Sequence, residues 1–178
     1  RECDLNSMTL DFCDYRIDSG EWQGKIPTIR LMDILLQKKK PVHVSLKYQF
    51  YIDMDPNKCT EMFLIAEEME VLKARINGQM TELKSEGWWK DKAFHKFYIL
   101  PYIQKNKNEI IMEIDFFQDQ KVYDVLFGKD VLETERNKLT FHTEIESIYL
   151  LGDFGVFDQN NFSYSWRKEL ISEGAFVI

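Results

Sequence analysis

The stretch SEGWWKDKAFHKFYI, residues 85–99, sets two adjacent indoles, Trp88 and Trp89, beside Asp91, Lys92 and His95. Flat aromatic faces ringed by polar groups bind the rings of sugars or of nucleic-acid bases. Trp88, Trp89, Asp91 and His95 are therefore the candidate carbohydrate-binding set. The structural alternative is that the tryptophans plug a sheet edge. Neighbouring residues of an extended chain point to opposite sides, so the two rings are not expected to be buried on one face.

Carboxylates are the next chemical group. Glu144 and Glu146, in TEIES, would rise from one face of a strand with Cα atoms ~6.5 Å apart. Glycosidases use two carboxyl groups that flank the scissile bond, ~5–5.5 Å apart in retaining enzymes and ~6.5–9.5 Å apart in inverting ones. A pair two residues apart on one strand points in parallel, so a pair of exposed strand carboxylates is the plainer reading. Gly152-Asp153-Phe154-Gly155 spells the DFG of a protein kinase, without the Gly-rich loop, strand lysine or catalytic loop a kinase needs. Asp153 reads as a turn former, with Gly152 and Gly155 supplying unusual backbone angles. His43, His95 and His142 form no HxH or HExxH pair, and no serine sits in a GxSxG elbow. Cys13 and Cys59 have no nearby His, and neither is a candidate nucleophile. DMDPNK offers Asp53, Asp55 and Asn57 as oxygen ligands for a structural Ca2+ but lacks the downstream Gly and Glu of an EF-hand loop. It reads as a turn. No catalytic residue, metal site or cofactor is assigned.

Bulk properties narrow the partners. A net charge of −7 argues against nucleic acid, whose phosphates require clustered Lys and Arg. The basic run Gln37-Lys38-Lys39-Lys40 is short and reads as a solvated helix end. At 178 residues and 44% hydrophobic content the chain is long enough and apolar enough to bury a core. Cys3, Cys13 and Cys59 are odd in number and lack CxxC spacing, against a disulfide scaffold or a zinc site. Free thiols lean towards a reducing compartment. The sequon Asn161-Phe162-Ser163 carries no weight without a secretory context. There is no signal peptide and no apolar run near ~20 residues, so no membrane span is expected. The chain starts at Arg1 and ends in the apolar GAFVI. Natural termini are usually polar, so it reads as a segment of a longer protein whose partners are the other domains of the same polypeptide, with a processed mature protein as the alternative.

Alternation dominates the elements that must position these groups. In VHVSLKYQFYIDM, residues Val42, Val44, Leu46, Tyr48, Phe50, Ile52 and Met54 share one parity, with Ser45 among the outward set. That is a long half-buried strand. EMFLIAE is a second. VLKARI turns Leu72, Ala74 and Ile76 inward, and Asn77-Gly78 predicts a hairpin returning through QMTEL. HKFYI, EIIMEIDFF, TEIESIYLLGDF, FSYSW and AFVI complete roughly eight to ten strands, an all-β sandwich pattern. IRLMDILLQKKK spaces Ile29, Met32 and Leu36 at helical intervals ahead of Pro41, and VYDVLFGKDVLETERNKL is helical with a break at Gly128. Residues 1–40 are expected to be an N-terminal arm packed on the sandwich or part of a preceding domain, and 41–178 the sandwich itself.

Ile76-Asn77-Gly78, Phe94 to Ile99 and Asn108 to Ile114 resemble the jelly-roll sugar-binding domain of family 2 glycoside hydrolases and related galactose-binding-like folds. Tyr98 stands for the family's usual Asp and Lys107 for its usual Gly. MTLDFCDYRIDSGEWQGKIPTIRL and LTFHTEIESIYLLGDFGVF are similar to segments of large bacterial glycosyl hydrolase-like proteins. The resemblances span most of residues 8–157. They imply an all-β jelly-roll sandwich with one or two short accessory helices, and a non-catalytic accessory domain that supports a catalytic domain and edges its carbohydrate cleft. An autonomous carbohydrate-binding module using an exposed Trp is the second reading. A small glycosidase using Glu144, Glu146 or Asp153 is the third.

Overall fold

The structure, a computed structural model, describes residues 4–67, 71–158, 162–164, 170–172 and 176–178. Cys3, Asn161 of the sequon, and Ser165 and Trp166 of FSYSW lie outside the described residues. In chain order the elements are β1 (Asn6–Leu10), β2 (Phe12–Ile17), β3 (Gln23–Pro27), α1 (Thr28–Lys38), β4 (Val42–Ile52), β5 (Met62–Glu67), β6 (Val71–Ile76) and β7 (Gln79–Lys84). Then follow β8 (Trp88–Trp89), β9 (Asp91–Tyr98), β10 (Asn106–Phe116), α2 (Gln120–Phe127), α3 (Glu133–Arg136), β11 (Ile148–Gly152), β12 (Phe157–Asp158), β13 (Phe162–Tyr164), β14 (Leu170–Ser172) and β15 (Phe176–Val177). The fold is an all-β sandwich with a few short helices. No helix among the described residues is long and apolar enough to cross a membrane.

The chain divides into two compact units. Unit 1 holds residues 1–10, 48–111 and 148–178, and unit 2 holds 11–47 and 112–147. In unit 1 an antiparallel sheet runs β1-β11-β5-β9-β8. The second sheet places β12, β15, β4, β10, β6 and β7 in that order, and within unit 1 β15 pairs in parallel with the end of β4 at Val177 and Tyr51. Period-2 patterning does the work here: Tyr48, Phe50, Ile52, Leu72, Ala74, Ile76 and Ile110 are all buried, as the alternation predicts. The late apolar residues Val177 and Ile178 are buried too. Ile178 exchanges backbone bonds with β4, its N–H donating to Tyr51 O (2.9 Å) and its carbonyl accepting from Asp53 N (2.6 Å).

The Asn-Gly hairpin forms as expected. Asn77 (φ 48°) and Gly78 (φ 84°) are both left-handed, and Ile76 faces Gln79 across the turn. Asn77 also anchors the loop before β10. Its Nδ2 donates to Tyr102 O (2.9 Å) and to Asn108 Oδ1 (2.8 Å), and its Oδ1 accepts from Glu109 N (2.9 Å). Asn108 is 0% exposed. Its Oδ1 also accepts from Gln104 N (2.9 Å), and its Nδ2 donates to Gln104 O (2.7 Å) and Asn106 O (3.2 Å). Both lone pairs and both N–H groups of this buried amide are used. The residue that takes a left-handed angle in this loop is Asn106 (φ 71°), not Lys107, so the place a glycine would serve is one position earlier than the resemblance put it.

In unit 2, β2 pairs antiparallel with β3 and with residues 44–47 of β4. Residues 6–27 thus hold three strands that the alternation did not reveal. Ser45 is 0% exposed rather than outward, because β2 lies against it and Arg16 Nη2 donates to its Oγ (3.1 Å). Helix α1 buries Thr28, Leu31, Leu35 and Leu36. Ile29, expected on its inner face, is 75% exposed, since the i, i+3, i+7 stripe starts one residue earlier, at Thr28. The helix stops at Lys38, where Lys39 (φ 52°) makes a left-handed cap, and residues 37–40 are exposed. The second helical stretch is broken at Gly128 as expected, into α2 and α3.

Replacing Asn108 by Ala strands the amide of Asn77 and three backbone groups, Gln104 N, Gln104 O and Asn106 O. It is expected to cost about 3 kcal/mol in urea unfolding, against about 1 kcal/mol for Gly78→Ala, whose left-handed angle is merely strained.

Candidate functional site

The tryptophan pair lies on β8, at one edge of the five-stranded sheet of unit 1. A left-handed residue stands on each side, Gly87 (φ 110°) before and Lys90 (φ 63°) after, and the β8–β9 register shifts between Trp88 and Trp89. This tight path turns the rings apart, as the alternation of an extended chain requires. Trp89 is half-buried and packs with Leu5, Phe94, Tyr98 and Tyr149 against the buried cluster of Phe63, Ile65 and Leu151. Its ring lies 5.7 Å from that of Tyr149, and Lys90 Nζ stands 4.6 Å from its centroid. Lys96 Nζ covers Phe63 likewise at 4.9 Å. Cation–π contacts of this kind contribute about 0.5–1 kcal/mol each at exposed sites, and they occupy the ring faces a sugar would need.

Trp88 is the outward ring, 54% exposed. Leaving that much indole in water forgoes about 2–3 kcal/mol of burial. Its partner across β8 and β9 is His95. His95 Nδ1 lies 3.0 Å from Ser85 Oγ, while Ser85 Oγ donates to Gly87 O (2.8 Å) and accepts from Gly87 N (3.3 Å). Gly87 O also accepts from Lys96 N (2.9 Å), and Ser85 is a turn residue rather than a nucleophile. Asp91 is exposed and its Oδ1 accepts from Ala93 N (2.9 Å), a local turn bond. Of the four candidates, Trp88 and His95 face each other across the strand pair, Trp89 packs into an aromatic cluster and Asp91 shapes backbone. Ser85, which orients His95, carried no sequence signal beyond being polar.

The carboxylate candidates are dispersed. Glu144 and Glu146 are exposed and flank the buried Ile145, but they precede β11 and are not on a strand. Pairing begins at Ile148, opposite Leu10, so the strand expected from residue 143 starts five residues late. Asp153 does hold a turn, through its side chain. Its carboxylate accepts from Cys59 Sγ (2.7 Å), Thr60 N (2.8 Å), Thr60 Oγ1 (2.7 Å) and Glu61 N (3.2 Å). Desolvation alone would raise its pKa, but these four donors outweigh it and hold the carboxyl well below the usual range. Burial, reinforced by the Asp153 hydrogen bond and charge, pushes the Cys59 thiol up to about 11. Gly152 and Gly155 do not have the unusual angles expected of them: among the described glycines only Gly78 and Gly87 have positive φ. Gly152 is needed for space, because a Cβ there would lie 2.5 Å from Glu61 O and 2.9 Å from the Phe154 ring. Asp55 closes the DMDPNK turn, its Oδ1 accepting from Asn57 N (3.1 Å).

Two further clusters, both in unit 2, join residues far apart in sequence. His43 Nδ1 lies 2.7 Å from Asp115 Oδ1, and its Nε2 lies 3.8 Å from Glu113 Oε2. All three side chains are at least 44% exposed, where ion pairs contribute little. Trp22 carries the Arg16 guanidinium at 5.0 Å and Lys47 Nζ at 4.4 Å, with Lys47 also paired to Asp14 Oδ2 at 3.3 Å. Cys13 is buried and its thiol is pushed up to about 11, chiefly by burial, which makes it a poor nucleophile. Among the described residues no three His, Cys, Asp or Glu side chains converge in a metal-ligating group.

The Asp153 cluster has a checkable acid dependence. With its folded pKa below the unfolded value of about 3.9, the carboxylate stabilises the fold fully above that value and loses this contribution as pH falls through the lower folded value. Asp153→Asn is expected to cost about 1 kcal/mol at pH 7, at the low end because the residue is exposed. The gap between the unfolding midpoints of wild type and variant should close as pH drops below about 4.

No protein-family profile matches the chain. No curated protein is similar to it in sequence. Among solved structures, the β-D-glucuronidase of Dictyoglomus thermophilum has a similar fold, with a TM-score of 0.50 and 14% identity over 98% of this chain and 34% of that chain. The chain thus spans about a third of that enzyme's length, and the likeness, at this identity, is one of fold.

Proposed function

We propose that the chain is a glycosidase-related β domain, an accessory non-catalytic jelly-roll sandwich of the galactose-binding-like type within a multidomain bacterial glycoside hydrolase. Its role is to support the catalytic domain and edge the carbohydrate cleft, with other domains of the same polypeptide as its partners. One observation carries the reading: nearly the whole chain, 98%, corresponds in fold to 34% of a β-D-glucuronidase. The Asn-Gly hairpin and the Asn108 strand, which resemble the sugar-binding domain of family 2 enzymes, support it independently.

The purified chain is expected to release no 4-nitrophenol from a panel of 4-nitrophenyl glycosides that includes the β-D-glucuronide. Turnover that disappears in Glu144→Gln or Glu146→Gln would replace this reading with that of a small glycosidase.

A further inference from the structure

We propose that Trp88 and His95 form a subsite for a pyranose, with the Trp88 ring as its floor. The proposal rests on the reading of the chain as part of a carbohydrate-active enzyme and sharpens it to two residues and one ligand class.

Trp88 is 54% exposed, while the adjacent Trp89 is packed among aromatic rings under the Lys90 ammonium. The left-handed Gly87 and Lys90 on either side hold the pair in this in-and-out arrangement. Trp88 and His95 are opposite each other in an antiparallel pair, so their side chains rise from the same face with Cβ atoms about 5 Å apart. The C–H face of a pyranose stacks on an indole, and its hydroxyls need hydrogen-bond partners at the ring's rim.

His95, opposite Trp88 and held at Nδ1 by Ser85 Oγ (3.0 Å), supplies one. An imidazole hydrogen-bonds a sugar hydroxyl in either tautomer.

Affinity electrophoresis tests it, with the chain run through gels holding β-glucan, xylan, galactan, mannan or polygalacturonate. At least one of these polymers should retard it. Trp88→Ala should weaken that retardation about ten-fold, the loss of one stacked ring, and Trp88→Phe by less. His95→Ala should weaken it several-fold, and His95→Gln, which keeps an acceptor, should restore part of the loss. Trp22→Phe should change nothing, and thermal melts establish that each variant is folded. Migration unaffected by every polymer, or retardation that survives Trp88→Ala, would each overturn the subsite. Such a failure leaves the accessory-domain reading standing, because the hydrolysis assay decides that reading separately.

Discussion

The amide pair of Asn77 and Asn108 is the interaction on which unit 1 depends most. Asn77 occupies a left-handed position that its own turn demands, and its side chain reaches across to Tyr102 O, Asn108 and Glu109 N. Asn108 returns the contact from a fully buried site with all four hydrogen-bonding positions filled. A buried amide with this many partners is costly to break, because each partner left alone in a low-dielectric interior keeps its desolvation penalty. The pair therefore joins the β6–β7 turn, the loop before β10 and the start of β10 into one arrangement. It also explains why a polar KNKNE segment stands in the middle of a sandwich: Asn106 turns the loop and Asn108 satisfies it.

A second constraint acts at the sheet edge. Adjacent residues in extended backbone point apart, so two neighbouring tryptophans must have different fates. Here the inward ring joins Phe94, Tyr98 and Tyr149, and the outward ring stays in solvent. The lysines over Trp89 and Phe63 close those rings to stacking, which leaves Trp88 as the open face. The Trp22 cluster uses the same side-chain types differently. There Arg16 and Lys47 lie over the indole, and their cationic groups also serve Ser45 and Asp14, so the ring is part of the packing between β2 and β4.

Legibility followed the range of the interactions. The long strands β4 and β10, the β6–β7 hairpin and the two helical stretches were readable because their signals lie within a dozen residues. The errors arose where a distant segment decides. Ser45 looked outward until β2 covered it. Ile29 looked inward because helical spacing gives a period and not its phase, and the phase is set by what Leu31 and Leu35 pack against. Residues 143–147 looked like strand, but a strand ends where its partner does, and β1 offers no pairing before Ile148.

The candidate site divides in the same way. Residue types and alternation alone determined an all-β sandwich, an Asn-Gly turn and one outward tryptophan of two. Tertiary structure decided which tryptophan that is, because the bulge in β8–β9 and the left-handed Gly87 and Lys90 set the register. It decided that Ser85 orients His95, that Asp153 receives Cys59 and Thr60 from ninety-odd residues away, and that Gly152 is needed for space and not for its angle. The physical reason is common to all of these. Periodicity is written in neighbouring residues, whereas a hydrogen bond or a close approach between segments exists only once the chain has brought them together.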